Sequence, residues 1–243
     1  DLTAENGPAR LALRGFVRMH PEGKVRELVA HATDVPFDDT LRDALDEEFR
    51  RTWDVFDPCG VAAAVEVRVA VQVPGGEETV DVGIQLDGRA SMEYRRFPYR
   101  AENLSGRIHF GSETVTLESL TTRTGDMYAV MDGVIQPAQD GNDDADITLQ
   151  GRVPIDDKLA RALGEDGNDL VRMLEPSGMA EGVNARITFR DGNLDYAISS
   201  RIRDGRIRFR DFPLPVGDLT GLVVITPDVV RIREAEGYYG PAR

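Results

Sequence analysis

The run VAAAVEVRVAVQV (residues 61–73) places Val61, Ala63, Val65, Val67, Val69, Val71 and Val73 on one side of an extended chain and sets Glu66, Arg68 and Gln72 between them. A period of two over thirteen residues is that of a β-strand with one oily and one wet face. The same alternation recurs in Val80, Val82, Ile84 and Leu86 against Asp81, Gln85 and Asp87, and again in Leu194, Tyr196, Ile198 and Ile202. Short turn-forming stretches, PGGEE (74–78) and RDGN (190–193), join such runs as hairpins, so the sheet is expected to be antiparallel. Further strands are predicted over 10–19, 26–33, 89–97, 104–110, 115–120 and 128–135.

Outward from this run the chain repeats itself. VPFDDTLRDAL begins at Val35 and VPIDDKLARAL at Val153, 153 − 35 = 118 residues later. At the same offset Gly7 meets Gly125, Gly15 meets Gly133, Gly23 meets Gly141, Pro58 meets Pro176 and Gly60 meets Gly178. FPYRAENLSG from Phe97 then matches FPLPVGDLTG from Phe212 at an offset of 212 − 97 = 115, so a loop of the second copy is three residues shorter. The expected organisation is a first β-rich copy over 7–124 and a second over 125–240, with 241–243 as the start of a further copy. About seven strands per copy at the usual strand spacing would lengthen a shared sheet by roughly 33 Å.

Each copy also carries one predicted helix, near 39–56 and near 157–174. Asp38 or Asp39, and Asp156 or Asp157, can accept hydrogen bonds from the first free amides. Leu41, Leu45, Phe49, Trp53 and Phe56 form one apolar stripe, expected to pack on the sheet, and Pro58 with Gly60 ends the helix. GEDGND (164–169) is expected to split the second helix in two.

Composition narrows the function. The net charge is −14, with no basic stripe, which argues against nucleic acid. No run approaches the eighteen or so apolar residues of a spanning helix, so any anchor or signal peptide is expected outside this segment. The lone Cys59 precludes an internal disulfide framework and, in its Pro-x-Gly turn, reads as a plain structural residue. His20, His31 and His109 show neither metal-pair spacing nor a neighbouring nucleophile, and the other copy has Ala138, Leu149 and Val224 in their places. DGNDDAD (140–146) has the composition of a calcium loop but its glycine stands second rather than sixth, so a solvated turn is expected. No metal, no cofactor and no catalytic residue is assigned, and enzyme activity is not expected. A hydrolase built on Asp143, Asp144 and Asp146 is the distant exception.

The apolar face could be sealed under a second layer or left as a gutter for acyl chains, which need no hydrogen bonds. The residues expected to line such a groove are Val65, Val67, Val69, Val71, Ile84, Leu86, Ile108, Val115, Leu117, Ile187, Phe189, Ile198, Val223 and Ile232. FPYRAENLSGRIHFGSETVTLESLTTRTGD (97–126), continued by MYAVMDGVIQP, resembles the recurring unit of AsmA-like and TamB-like envelope proteins of diderm bacteria, and the 35–60 stretch resembles a helical insert between such units. That resemblance implies a mainly β fold, a curled antiparallel sheet forming an open groove from tandem repeats, with one short helix per repeat. It further implies a periplasmic, envelope location, an inner-membrane anchor outside this segment, phospholipid or another acyl-chain lipid as partner alongside further copies of the repeat, and a part in lipid transport and outer-membrane upkeep. The alternative is a structural or adhesive spacer with a closed core.

Overall fold

The computed structural model describes residues 2–95, 97–136, 138, 143–162, 172–190, 193–210 and 215–239. Thirteen strands form one antiparallel sheet in which every strand pairs with its neighbours in sequence. They are β1 (Leu2–Asn6), β2 (Ala9–His20), β3 (Gly23–Phe37), β4 (Cys59–Val71), β5 (Thr79–Tyr94), β6 (Phe97–Phe110) and β7 (Val115–Thr124). The remainder are β8 (Met127–Gln136), β9 (Asp144–Ile155), β10 (Ser177–Arg190), β11 (Asn193–Arg208), β12 (Pro215–Thr226) and β13 (Val229–Tyr238). β1 and β13 do not pair with one another, so the sheet is a meander with two edges rather than a barrel. The expected mainly β, antiparallel class is what is found.

The strands are longer than their alternation suggests, because the alternation changes phase inside them. Residues 80–86 and 89–97 read as two strands; β5 is one strand running from Thr79 to Tyr94, paired to β4 and β6 with register shifts around Gly88. On β6 the inward apolar positions are Phe97, Tyr99 and Ala101, then Leu104, Ile108 and Phe110, odd numbers giving way to even. Asn103, at φ 52°, sits at the change. β7 does the same at Ser119 (φ 48°), β10 at Gly182 (φ 55°), β11 at Asp204 (φ 50°) and β13 at Glu234 (φ 51°). A bulge inserts one residue on one strand, resets the side-chain parity and bends the ladder. Repeated on β5, β6, β7, β10, β11 and β13, these bulges keep the apolar side chains on one face and bend the ladders toward it.

Gly106 shows how tight the bulged region is. Its φ is +126°, and a Cβ there would lie 2.5 Å from the Ser119 carbonyl oxygen and 2.9 Å from Leu120 Cα. Gly106→Ala is therefore expected to lower stability by about 1–3 kcal/mol, whereas Asn103→Gly, which relieves a left-handed side chain but gives up its 2.9 Å hydrogen bond to the Arg123 carbonyl, should cost less, about 1 kcal/mol or below. Urea midpoints of the two variants check the pair.

The curvature brings opposite margins of the sheet together. Tyr94 ends β5 and Phe189 lies at the end of β10; because alternate strands run in opposite directions, these residues belong to opposite margins, five strands apart. In a flat sheet the lateral separation alone would be about 24 Å, yet the rings are 5.9 Å apart, edge to face. The sheet thus wraps a trough whose axis crosses the strands. Its floor is the larger apolar cluster, with Leu86, Leu104 and Ile135 fully buried, and a second cluster around Val153, Ala180, Val183, Ala185 and Ile202 continues it.

The segment near 39–56 holds two helices instead of one: α1 (Asp39–Ala44) and α2 (Glu47–Phe56). Leu45 is extended, and Asp46 starts the second helix by accepting the Phe49 amide at 2.9 Å, as Asp38 starts the first by accepting that of Leu41. α3 (Asp157–Ala162) begins in the same way, with Asp156 accepting the Lys158 and Leu159 amides. Helical structure returns at 172–174, and the expected break at 164–169 lies outside the described residues. Of the turn expected over 140–146, residues 140–142 lie outside the described residues and Asp144–Asp146 instead open β9; of the turn over 190–193, residues 191–192 lie outside them, and Arg190 and Asn193 are the last residue of β10 and the first of β11.

Candidate lipid groove

The floor of the trough is built by the alternation that opened the chain's reading. Val65 and Val67 of β4, Ile84 of β5, Ile108 of β6, Leu117 of β7, Ile187 and Phe189 of β10, Ile198 of β11, Val223 of β12 and Ile232 of β13 all line one continuous cavity of about 650 Å³. That volume is within the range of sites that hold small organic ligands. Leu86 and Val115, also expected in the groove, are buried in the cluster beneath it, 1% and 3% exposed. Val69 and Val71 continue the same side of β4 toward its hairpin end and stand outside the cavity lining, half-buried beside Val80 and Arg26 respectively.

The helices contribute a set of aromatic side chains that the sequence reading assigned to sheet packing. α2 lies across the mouth of the trough: Phe49 meets Phe110 edge to face at 6.4 Å, and Phe56 stacks on Tyr94 at 5.4 Å. Phe110 and Tyr94 stand at opposite margins of the sheet, a span that ten helical residues, about 15 Å, can cover. Trp53, between them, packs on Phe37 at 5.7 Å. Phe49, Trp53 and Phe56 line the cavity and are only half-buried, so the stripe faces unfilled space. The i, i+4, i+7 spacing that marked this stripe carries no information about what lies beneath it. α2 is tied down at its C-terminal end, by a two-pronged pair from Arg42 of α1 to Asp54, by an ion pair from Arg100 to Asp57, and by the Arg95 amide donating to the Val55 carbonyl at 2.9 Å.

Polar groups inside are few. Thr122, 2% exposed, donates its hydroxyl to the Glu102 carbonyl at 2.5 Å. Burial pushes the Tyr99 phenol above its ordinary pKa, with Asp156 and Glu102 adding to the shift. Charge is carried on the outer face instead. There Glu181 sits between Arg203 at 2.7 Å and Arg152 at 3.5 Å, Arg89 pairs with Asp34 at 2.8 Å and with Asp87, and His109 meets Asp81 at 2.9 Å. Asp146, one of the three acidic candidates, is bound by Arg186, whose hydrogen bond holds its carboxyl below the usual carboxylate range. Asp143 accepts the Ala138 amide at 2.9 Å. Among the described residues no cluster of three His, Cys, Asp or Glu side chains is arranged to hold a metal ion, and Cys59 is an exposed free thiol. No helix among them is long and apolar enough to cross a membrane.

The chain matches no protein family, no curated protein and no solved structure.

Proposed function

We propose that this chain is a non-enzymatic lipid-binding or lipid-conducting segment of a cell-envelope protein, holding acyl chains along its curved apolar sheet. The observation that carries the reading is the continuous cavity running from β3 to β13, apolar at nearly every lining position and not filled by the chain's own side chains. Each methylene moved from water into such a site contributes about 0.8 kcal/mol, so a dozen would give on the order of 10 kcal/mol before the costs of association. No individual side chain needs to recognise anything. A sealed spacer would have its facing apolar groups packed to interior density, leaving no such volume.

The reading includes two tandem copies of a six-strand unit, β2–β7 and β8–β13, each with helical structure between its second and third strands. Element starts support it: β4 and β10 begin at Cys59 and Ser177, 177 − 59 = 118 apart. The pairing register supports it more closely. Leu2 faces Leu13, Ala4 faces Leu11 and Asn6 faces Ala9, just as Leu120 faces Met131, Thr122 faces Ala129 and Thr124 faces Met127 when 118 is added to each number. β1 thereby stands where the second half of β7 stands. The envelope setting, an anchor outside this segment, membrane contact only through parts outside it and the movement of phospholipid between membranes rest on the resemblance to AsmA-like and TamB-like repeats.

Trp53 is the only tryptophan in the chain and lines the cavity. Phospholipid brominated on its acyl chains is expected to quench its emission on incubation with the purified protein, and native mass spectrometry should find the lipid bound. Unchanged emission together with a lipid-free mass at every lipid concentration would sink the proposal.

A further inference from the structure

We infer that the trough holds the phosphate of its lipid at one place, the margin where β10 begins and β11 nears its end, with the Arg206 guanidinium and the Ser177 hydroxyl as donors. The inference rests on the lipid-binding reading and adds to it a headgroup class and a seat for that headgroup. Among the described residues three charged side chains line the cavity, those of Asp46, Asp156 and Arg206. The two aspartates are committed to helix starts, Asp46 accepting the Phe49 amide and Asp156 those of Lys158 and Leu159. Arg206 is exposed, and among the described residues it forms neither an ion pair nor a hydrogen bond.

Ser177 faces Arg206 directly across the β10–β11 ladder, lines the same cavity and is likewise exposed. Opposed residues of an antiparallel pair have Cα atoms about 5 Å apart and share one side of the sheet. A hydroxyl and a planar fork of N–H donors therefore stand together beside an apolar floor. That combination suits an anion carried on a hydrocarbon tail: the fork donates to two phosphate oxygens at once, the hydroxyl to a third, and the tail lies on the floor. The surrounding charge does not occupy the fork. RIRDGRIRFR (201–210) holds five arginines against one aspartate in a chain of net charge −14. Arg203 pairs with Glu181 at 2.7 Å and Arg208 with Glu175 at 2.8 Å, while Arg206, between them in sequence, belongs to the cavity lining.

The first copy lacks this arrangement. Under the two-copy alignment Ser177 corresponds to Cys59, 177 − 59 = 118, and Arg206 to Ser91, 206 − 91 = 115; Cys59 and Ser91 do face each other across β4 and β5. There the position is neutral and outside the cavity lining, and Ser91 accepts from Arg100, which is itself paired with Asp57. Asp57 and Glu175 are counterparts, 175 − 57 = 118, both left-handed at φ 38° and 41°, and each holds one arginine. The second copy thus carries at this margin one cation more than its acid neutralises, and that cation borders the trough.

The test compares two lipids that share brominated acyl chains and differ in the headgroup: phosphatidylglycerol, whose phosphate is the expected ligand, and diacylglycerol, which has none. Affinities are read from titration midpoints of Trp53 quenching in the full chain. Arg206→Met, which keeps an unbranched apolar stem and drops the charge, is expected to weaken phosphatidylglycerol binding about tenfold, the scale of one charge-assisted contact, and to leave diacylglycerol binding unchanged. Arg206→Lys should keep part of the difference, and Ser177→Ala should lose about threefold for the phospholipid alone. Because both side chains are exposed, the variants should keep the wild-type urea midpoint. The wild-type advantage for the phospholipid should shrink as salt rises. Phosphatidylglycerol affinity unchanged in Arg206→Met, or reduced equally for both lipids, overturns the inference and leaves the trough standing. Inorganic phosphate alone, followed by its ³¹P linewidth, separates the two sources of the anion: phosphate that binds at Arg206 while the variant takes up both lipids as wild type does would make this a free-phosphate site and overturn the headgroup assignment. No uptake of either lipid overturns this inference together with the lipid-binding reading.

Discussion

Ile198→Asp leaves the chain folded and lowers its uptake of acyl chains by on the order of a hundredfold, an effect of about 2.7 kcal/mol. Ile198 lies near the middle of β11, faces Ala185 on β10 and Ile225 on β12, and lines the cavity while remaining half-buried. A carboxylate there keeps some contact with water in the empty protein, so folding is affected modestly. Once an acyl chain fills the trough, that carboxylate has no partner and loses its water, and the bound state bears a penalty of several kcal/mol. Val71→Asp is the matched control. Val71 carries the same alternation but stands outside the cavity lining, opposite Arg26, which can face the new charge. Quenching of Trp53 by brominated phospholipid, titrated for wild type and both variants, reads the difference. Equal uptake by wild type and a folded Ile198→Asp would remove the trough as the binding site.

Leu104→Ala is expected to destabilise the chain by about 2–5 kcal/mol. Leu104 is fully buried, faces Ala90 on β5, and follows the left-handed Asn103 at the point where β6 bends. Its side chain is the one that the bulge turns back onto the apolar face, so truncation removes transfer free energy at the place where the curved strands pack most closely. Against a total stability of about 5–15 kcal/mol, a loss of this size should lower the urea midpoint by an amount that circular dichroism resolves easily. A shift below about 0.5 kcal/mol would mean that the floor of the trough rearranges around the gap. The two substitutions report on different things: Leu104 holds the curve, and Ile198 meets what lies inside it.

The alternation of Val61 to Val73 determined by itself that the chain forms strands with one oily face, and the short turns determined that those strands run antiparallel. Ten of the fourteen expected groove residues line the cavity because period two holds within each stretch between bulges: Val65 and Val67 on β4, Ile187 and Phe189 on β10, Ile198 on β11 and Val223 on β12 all lie in runs of unbroken register, whereas the bulge between Gly60 and Ala64 puts Ala62 inside in place of Val61 and Ala63. The capping aspartates were equally legible, since an N-cap is a contact over three residues. Strand number was not. The sequence reads a phase break at Gly88 as the end of one strand and the start of another, whereas neighbouring ladders hold the bulged backbone in register through the break.

The curl of the sheet was decided only by the tertiary structure. Each bulge is a local event, but the trough is the sum of bulges on successive strands, and no window of sequence contains that sum. The same holds for the α2 stripe. Its spacing fixed that Phe49, Trp53 and Phe56 share a face, while the curvature of strands far away in sequence decided that this face looks into a cavity instead of a filled core. Local periodicity specifies which way side chains point; what they point at depends on how distant strands bend.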